Sequence, residues 1–321
     1  HHIITDGWSM EIIKSEFLFF YEGFKDKQQV SLPYSGLQYK DFCRWSNERI
    51  EDPVFKEKSH SYWQAKLAGG IPALELPVRP GGDKEDLQGA AYMAMINKES
   101  SERLRKMAVD GNTTLFVVMF SIYIMMLYRF SKQQDIACSI ISAGREHLSL
   151  YNIIGFFVNS MLFRIDVSPD ESFSDFLQRM QTAVMETFQH QGYPLELVCR
   201  EMKRQYPDIP VSFNMLNILQ NEERPPEPFE SYHIEEAQDV KFDIEPYVTD
   251  YPGGIHMYWV YRRSLFKPEN IEHIVDEYIK LIDFFTGDSQ RSYEDFHKRT
   301  KKKKLKRRSL KNADKKIRRT G

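Results

Sequence analysis

The sequence predicts an α/β layered fold, with helices packed on a mixed sheet. Three observations carry this expectation. Strand-like and helix-like segments alternate over residues 92–285, the order expected where helices cover a sheet. The stretch 114–130 is apolar nearly all round, as a helix buried between layers has to be. Tyr251-Pro252-Gly253-Gly254 lies between two strand-like runs and signals a hairpin.

Taken in order, Ser9 is a capping residue type ahead of a helix over 10–24, where Ile13, Phe17, Phe20 and Phe24 recur at helical spacing. Residues 39–47 and 55–67 read as helices; 69–83, with Pro72, Pro77 and Pro80, reads as a loop or hinge. A strand is expected over 92–96, a short helix over 102–108 and the buried helix over 114–130. Strands follow over 135–142 and 161–167. The helix over 173–189 is amphipathic, with Phe173, Phe176, Met180, Val184 and Phe188 on one face. Pro194 opens a shorter helix over 195–203, after a turn holding His190 and Gln191. A strand over 210–219 precedes the hairpin strands over 241–248 and 255–261. A closing helix over 271–285 ends at Gly287 as its cap.

The length of 321 residues suggests about two domains. Hydrophobic residues at 41% supply a core and exclude disorder over most of the chain. The net charge of −2 hides an asymmetry: residues 298–321 hold fourteen Lys or Arg and one acid, Asp314, leaving 30 basic and 45 acidic residues before them. An acidic body of that kind is not built to bind nucleic acid, and the basic run is expected to be a solvated tail. Cys43, Cys138 and Cys199 form no CxxC, which argues against a disulfide framework or zinc ribbon and fits a reducing compartment. The longest apolar run, 115–127, is shorter than the about 20 residues a bilayer requires, so a soluble, cytoplasmic protein is expected. The chain opens on His1 and shows no signal peptide, so it reads as a segment of a longer polypeptide.

The sharpest chemical signal is His1-His2-Ile3-Ile4-Thr5-Asp6-Gly7-Trp8-Ser9. A neutral imidazole near physiological pH takes a proton from an attacking nucleophile. An acid four residues on can brace the loop through an ion pair, and Gly7 lets the backbone approach a substrate and offer its N–H to a developing oxyanion. Two other readings stay open on spacing alone: a tag remnant, and a metal site built from His1, His2 and Asp6.

This stretch resembles the HHxxxDG signature of the condensation domains of nonribosomal peptide synthetases. Three further segments follow in that family's order: Tyr39-Lys40-Asp41-Phe42-Cys43-Arg44-Trp45 is similar to YxDFAxW, Ile154-Gly155-Phe156-Phe157-Val158-Asn159-Ser160 with Arg164 to IGxFVNT…R, and His190-Gln191-Gly192-Tyr193-Pro194-Leu195-Glu196 to HQDYPFE. Gly192 stands where the family usually has Asp, and Leu195 where it has Phe. The family's first two motifs, upstream of HHxxxDG, are absent, so roughly the first third of the domain is expected to be missing.

The resemblance implies a chloramphenicol acetyltransferase-like fold of two lobes, the first incomplete: a remnant of the first lobe with the catalytic loop at 1–70, a hinge at 71–89, the second lobe at 90–296 and a disordered basic tail at 297–321. It implies amide-bond formation between donor and acceptor substrates carried as thioesters on phosphopantetheine arms. The partners would be upstream and downstream peptidyl carrier domains and an adenylation domain of the same assembly line. No directly bound cofactor or metal, no nucleic acid and no membrane are implied. His2 would position or deprotonate the acceptor amine, His1 would face inward and support the loop, and Asp6 would pair with an arginine, for which Arg145 is the candidate. Asn159 and Asn217 are candidates for the substrate channel. An epimerization domain, a stand-alone acyltransferase and a non-catalytic recruiting domain of the same fold are the alternatives.

Overall fold

A computed structural model describes residues 1–32, 36–216, 231–237 and 239–302, with the backbone alone at 235–237. Three helices open the chain: α1 (Gly7–Lys25), α2 (Tyr39–Glu51) and α3 (Pro53–Lys66). The rest alternates as expected: β1 (Gly89–Asn97), α4 (Lys98–Asp110), α5 (Leu115–Ser131), β2 (Asp135–Ser142), β3 (Asn159–Asp166), α6 (Phe173–Gln189), α7 (Leu195–Glu201), β4 (Ser212–Met215), β5 (Tyr232–Ala237), β6 (Ile244–Tyr251), β7 (Gly254–Arg262) and α8 (Pro268–Gly287). Among the described residues seven strands form one mixed sheet in the order β3-β2-β4-β6-β7-β1-β5. The pairs β2–β4 and β4–β6 are parallel; the others are antiparallel, including the β6–β7 hairpin, where Tyr251 pairs with Gly254. Among the described residues the first 88 contribute helices and no strand of this sheet.

α5 is the centre of the core. Thr114 accepts from Val117 N at its start, and Lys132, in the left-handed region, closes it. Its side chains from Val117 to Leu127 are buried against the sheet, α4, α6 and α8. No single helix among the described residues is long and apolar enough to cross a membrane.

Several expected boundaries shift for identifiable reasons. The cap of α1 is Asp6, not Ser9: the Asp6 carboxylate accepts from Ser9 N, so the helix begins at Gly7, ahead of the apolar stripe. α8 runs through Gly287 and is capped by Asp288. The first hairpin strand starts at Ile244; Asp243, just before it, gives its N–H to Pro210 O and pairs its carboxylate with Arg262. β5 has no counterpart among the expected strands; it adds to the sheet edge beside β1, and its acidic Glu235-Glu236 pair hides the strand pattern. Residues 293–302 are helical, across the boundary expected at 296.

Candidate active site

The N-terminal loop and the start of α1 are stitched to the segment 145–157, which follows β2. Asp6 is the main anchor. Its Oδ1 accepts from Ser9 N at 2.7 Å and lies 3.4 Å from Arg145 Nη2, and its Oδ2 accepts from Phe157 N at 3.0 Å. Both side chains are almost fully buried, at 3% and 1% exposure. Burial pushes the Asp6 carboxyl up, but the N–H groups of Ser9 and Phe157 and the Arg145 guanidinium outweigh it and hold the group below the usual carboxylate range. Burial pushes Arg145 down, opposed by Asp6.

Ser9 is the second stitch. Its hydroxyl donates to Gly155 O at 2.8 Å and accepts from Gly155 N at 3.0 Å and Arg145 Nη2 at 2.8 Å. Trp8 Nε1 donates to Tyr151 O at 2.9 Å, and the Tyr39 hydroxyl to Phe156 O at 2.5 Å. Arg145 also donates to the carbonyls of Leu150 and Ile153, so one buried guanidinium ties down the whole loop. Gly155 lies so close to Tyr39 that a Cβ there would meet the ring at 2.1 Å.

This network carries His2. The His2 ring is solvent-exposed, stands edge-on to Phe156 at 5.2 Å, and holds its Nδ1 2.8 Å from Thr5 O. A carbonyl oxygen only accepts, so Nδ1 carries the hydrogen and Nε2 keeps the lone pair of the neutral ring. Gly7, the first helical residue, is exposed, and its N–H has no acceptor within the helix. Its N–H sits at the positive end of the helix dipole, where a developing negative charge is stabilised.

His1, expected to face inward, is exposed at the corner of a turn, where Ile3 N donates to its Nδ1 at 3.2 Å. His1, His2 and Asp6 do not converge as a metal site: among the described residues no group of three or more His, Cys, Asp or Glu side chains is placed to hold an ion, and the Asp6 carboxylate is turned into the buried network above. Asn159, at the start of β3, donates to Gln191 O at 2.6 Å and lines a cavity beside Phe156. Asn217 lies outside the described residues.

Ser9 and Tyr39 are site residues that the sequence does not reveal as such. Ser9 reads as a cap, and Tyr39 as part of a packing stripe. Phe42 and Phe157 do pack, at 4.6 Å between rings, yet Tyr39 also turns its hydroxyl to the loop under His2. His190 is structural: its ring is buried, stacks on Tyr62 at 4.3 Å and pairs through Nδ1 with Ser59 Oγ at 3.1 Å.

The sequence model of the condensation domain family matches residues 1–305. Tyrocidine synthase 3 from Brevibacillus parabrevis is 30% identical over 315 residues, which are 95% of this chain and 5% of that protein. Gramicidin S synthase 2 from Brevibacillus brevis is 28% identical over 300 residues, 90% of this chain and 6% of that protein. This chain thus spans a small part of the curated relatives it matches. Among solved structures, the SgcC5 protein of Streptomyces globisporus superposes with a TM-score of 0.77 at 22% identity, covering 91% of this chain and 69% of that one. The first condensation domain of the calcium-dependent antibiotic synthetase gives 0.75 at 17% identity, covering 91% and 64%.

Proposed function

This chain belongs to the condensation domain family, and from that premise we propose that it forms an amide bond between two acyl groups held as thioesters on phosphopantetheine arms. The observation that carries the reading is the exposed His2 ring, whose Nδ1 is spent on Thr5 O and whose Nε2 is left to act. His2 Nε2 holds the acceptor amine and takes a proton from it as its nitrogen attacks the donor carbonyl. The C–N bond forms, the C–S bond breaks, and the proton taken by His2 passes to the departing sulfur, so the donor arm leaves as a thiol and the imidazole is neutral again. The N–H of Gly7 is the candidate donor to the oxyanion of the tetrahedral intermediate. Asp6 and Arg145 are positioning residues, which hold the loop and do not touch substrate. No metal or diffusible cofactor takes part in this scheme. The partners are donor and acceptor carrier domains, with an adenylation domain in the same assembly line, in the cytoplasm.

The test is His2→Ala in the full-length parent polypeptide, with the carrier-bound product followed by mass spectrometry. The expected result is a folded protein whose product formation falls by about 100-fold or more, the usual weight of a positioned acid–base group. Near-normal product from the folded variant refutes the assignment.

A further inference from the structure

A cavity of about 180 Å3 opens between α2, the loop after β2 and the turn before α7. Phe42, Trp45 and Phe156 line it, with Arg49, Glu146 and Gly192 around them. Phe156 is a wall it shares with His2, whose ring stands on that side chain. We propose that this cavity is a side-chain pocket for one of the two aminoacyl groups, that it takes an uncharged aromatic or branched side chain, and that Gly192 and the Arg49–Glu146 pair set its depth. The inference rests on the amide-forming reading above.

Size comes first. A cavity of about 150 Å3 holds one benzene ring, whereas sites for whole small ligands run to about 300–1,000 Å3. The space thus suits one side chain. Chemistry comes second. Arg49 Nη1 donates to both Glu146 oxygens, at 2.9 and 2.8 Å, so neither charge is left over for a ligand. A charged side chain would lose its water without gaining a partner. An aromatic ring meets the faces of partly exposed Phe42, Trp45 and Phe156, and the guanidinium that already lies 5.1 Å over Trp45. Space at position 192 comes third. A Cβ on Gly192 would lie 3.0 Å from Arg49 Nη1 and 3.3 Å from its Cζ. A side chain there would crowd the guanidinium that reaches Glu146.

The larger cavity, about 470 Å3, is at the other end of β3, around Lys66, Arg164 and Arg179. Arg164 is paired with Asp135 and Arg179 with Glu171, so that cavity is not a free cationic site.

The test is a competition within the full-length parent polypeptide. Phe, Leu and Ala are offered together as carrier thioesters, in one arm as donors and in the other as acceptors, and product ratios are read by mass spectrometry. The wild type should favour Phe and Leu over Ala by about 10-fold or more in one arm, which identifies the group that enters the pocket. Gly192→Leu, which fills the space, should bring that ratio close to one. Trp45→Ala, which deepens the cavity, should raise the share of Trp when Trp is added. A wild type without preference in either arm, or ratios that neither variant moves, overturns the pocket. Should Gly192→Leu yield no product, the Trp45→Ala ratio decides. A folded wild type that makes no dipeptidyl product in either arm refutes amide formation itself, and the pocket with it.

Discussion

Asp6 shows how one buried side chain sets the placement of the loop that carries His2. Its two oxygens take the N–H groups of Ser9 and Phe157, and Arg145 closes the charge. Removing one partner of a buried pair leaves the other charge uncompensated, which costs about 3–5 kcal/mol. Asp6→Ala should therefore lower the melting temperature by roughly 5–10 °C for a chain of this size and reduce product formation as well. Differential scanning calorimetry alongside the carrier assay checks it; unchanged melting with full activity would remove the bracing role. The spacing of His2, Asp6 and Gly7 is legible in the sequence because it is local. Ser9 is harder to read, because its partners are Gly155 and Arg145, more than 130 residues away.

At the scale of elements, α3 and α6 meet through a small polar cluster. The buried His190 ring stacks on Tyr62, whose hydroxyl pairs with Thr187 Oγ1 at 2.8 Å, and Ser59 pairs with the imidazole. Burial, helped by nearby Lys58, pushes His190 below its ordinary value, with Glu186 opposing. The folded protein therefore prefers this ring neutral. Between the depressed folded value and the ordinary value near about 6.5, the unfolded chain binds more protons. The contribution is complete above about pH 6.5 and is lost as pH falls through that window. Thermal melts from about pH 8 to pH 5 should show a shallower acid loss in His190→Gln than in the wild type. Parallel curves for the two proteins would assign the acid loss to other groups, such as His256, whose value burial also lowers.

Over the whole molecule, stability is unevenly distributed. The helices of the sheet layer bury a full face: Ile271, Ile274, Tyr278, Leu281 and Phe285 of α8 are all within 2% of complete burial. Along α1 only Ser9 and Gly23 are buried, while Phe17 is 66% and Phe24 75% exposed. The first 70 residues are not held alike, since Trp63 and Leu67 join the main core. Limited chymotrypsin digestion of this chain alone should cut first within residues 10–32, and well before anything in β1 to α8. The exposed aromatic stripe should also drive self-association, visible as concentration-dependent size in light scattering. Resistance of α1 equal to that of α8 would show that its outer face is protected in solution.

The sequence by itself determined the layered α/β class, the order of nearly every element and the chemical character of the opening loop. These follow from short-range physics: apolar period, capping residues, turn chemistry and the spacing of a few polar groups. The helix over 173–189 is legible to the residue, because its stripe is strong and Ser172 caps it. Strand β5 escapes such reading, because its support is β1, far away in the chain. Only the tertiary structure decided which side chains meet. It set Arg145 against Asp6, tied Tyr39 to the segment on which the His2 ring stands, and turned His1 outward. Such contacts depend on how the sheet, α1 and α2 are placed relative to one another. That placement results from burying the whole core at once, and no local pattern encodes it.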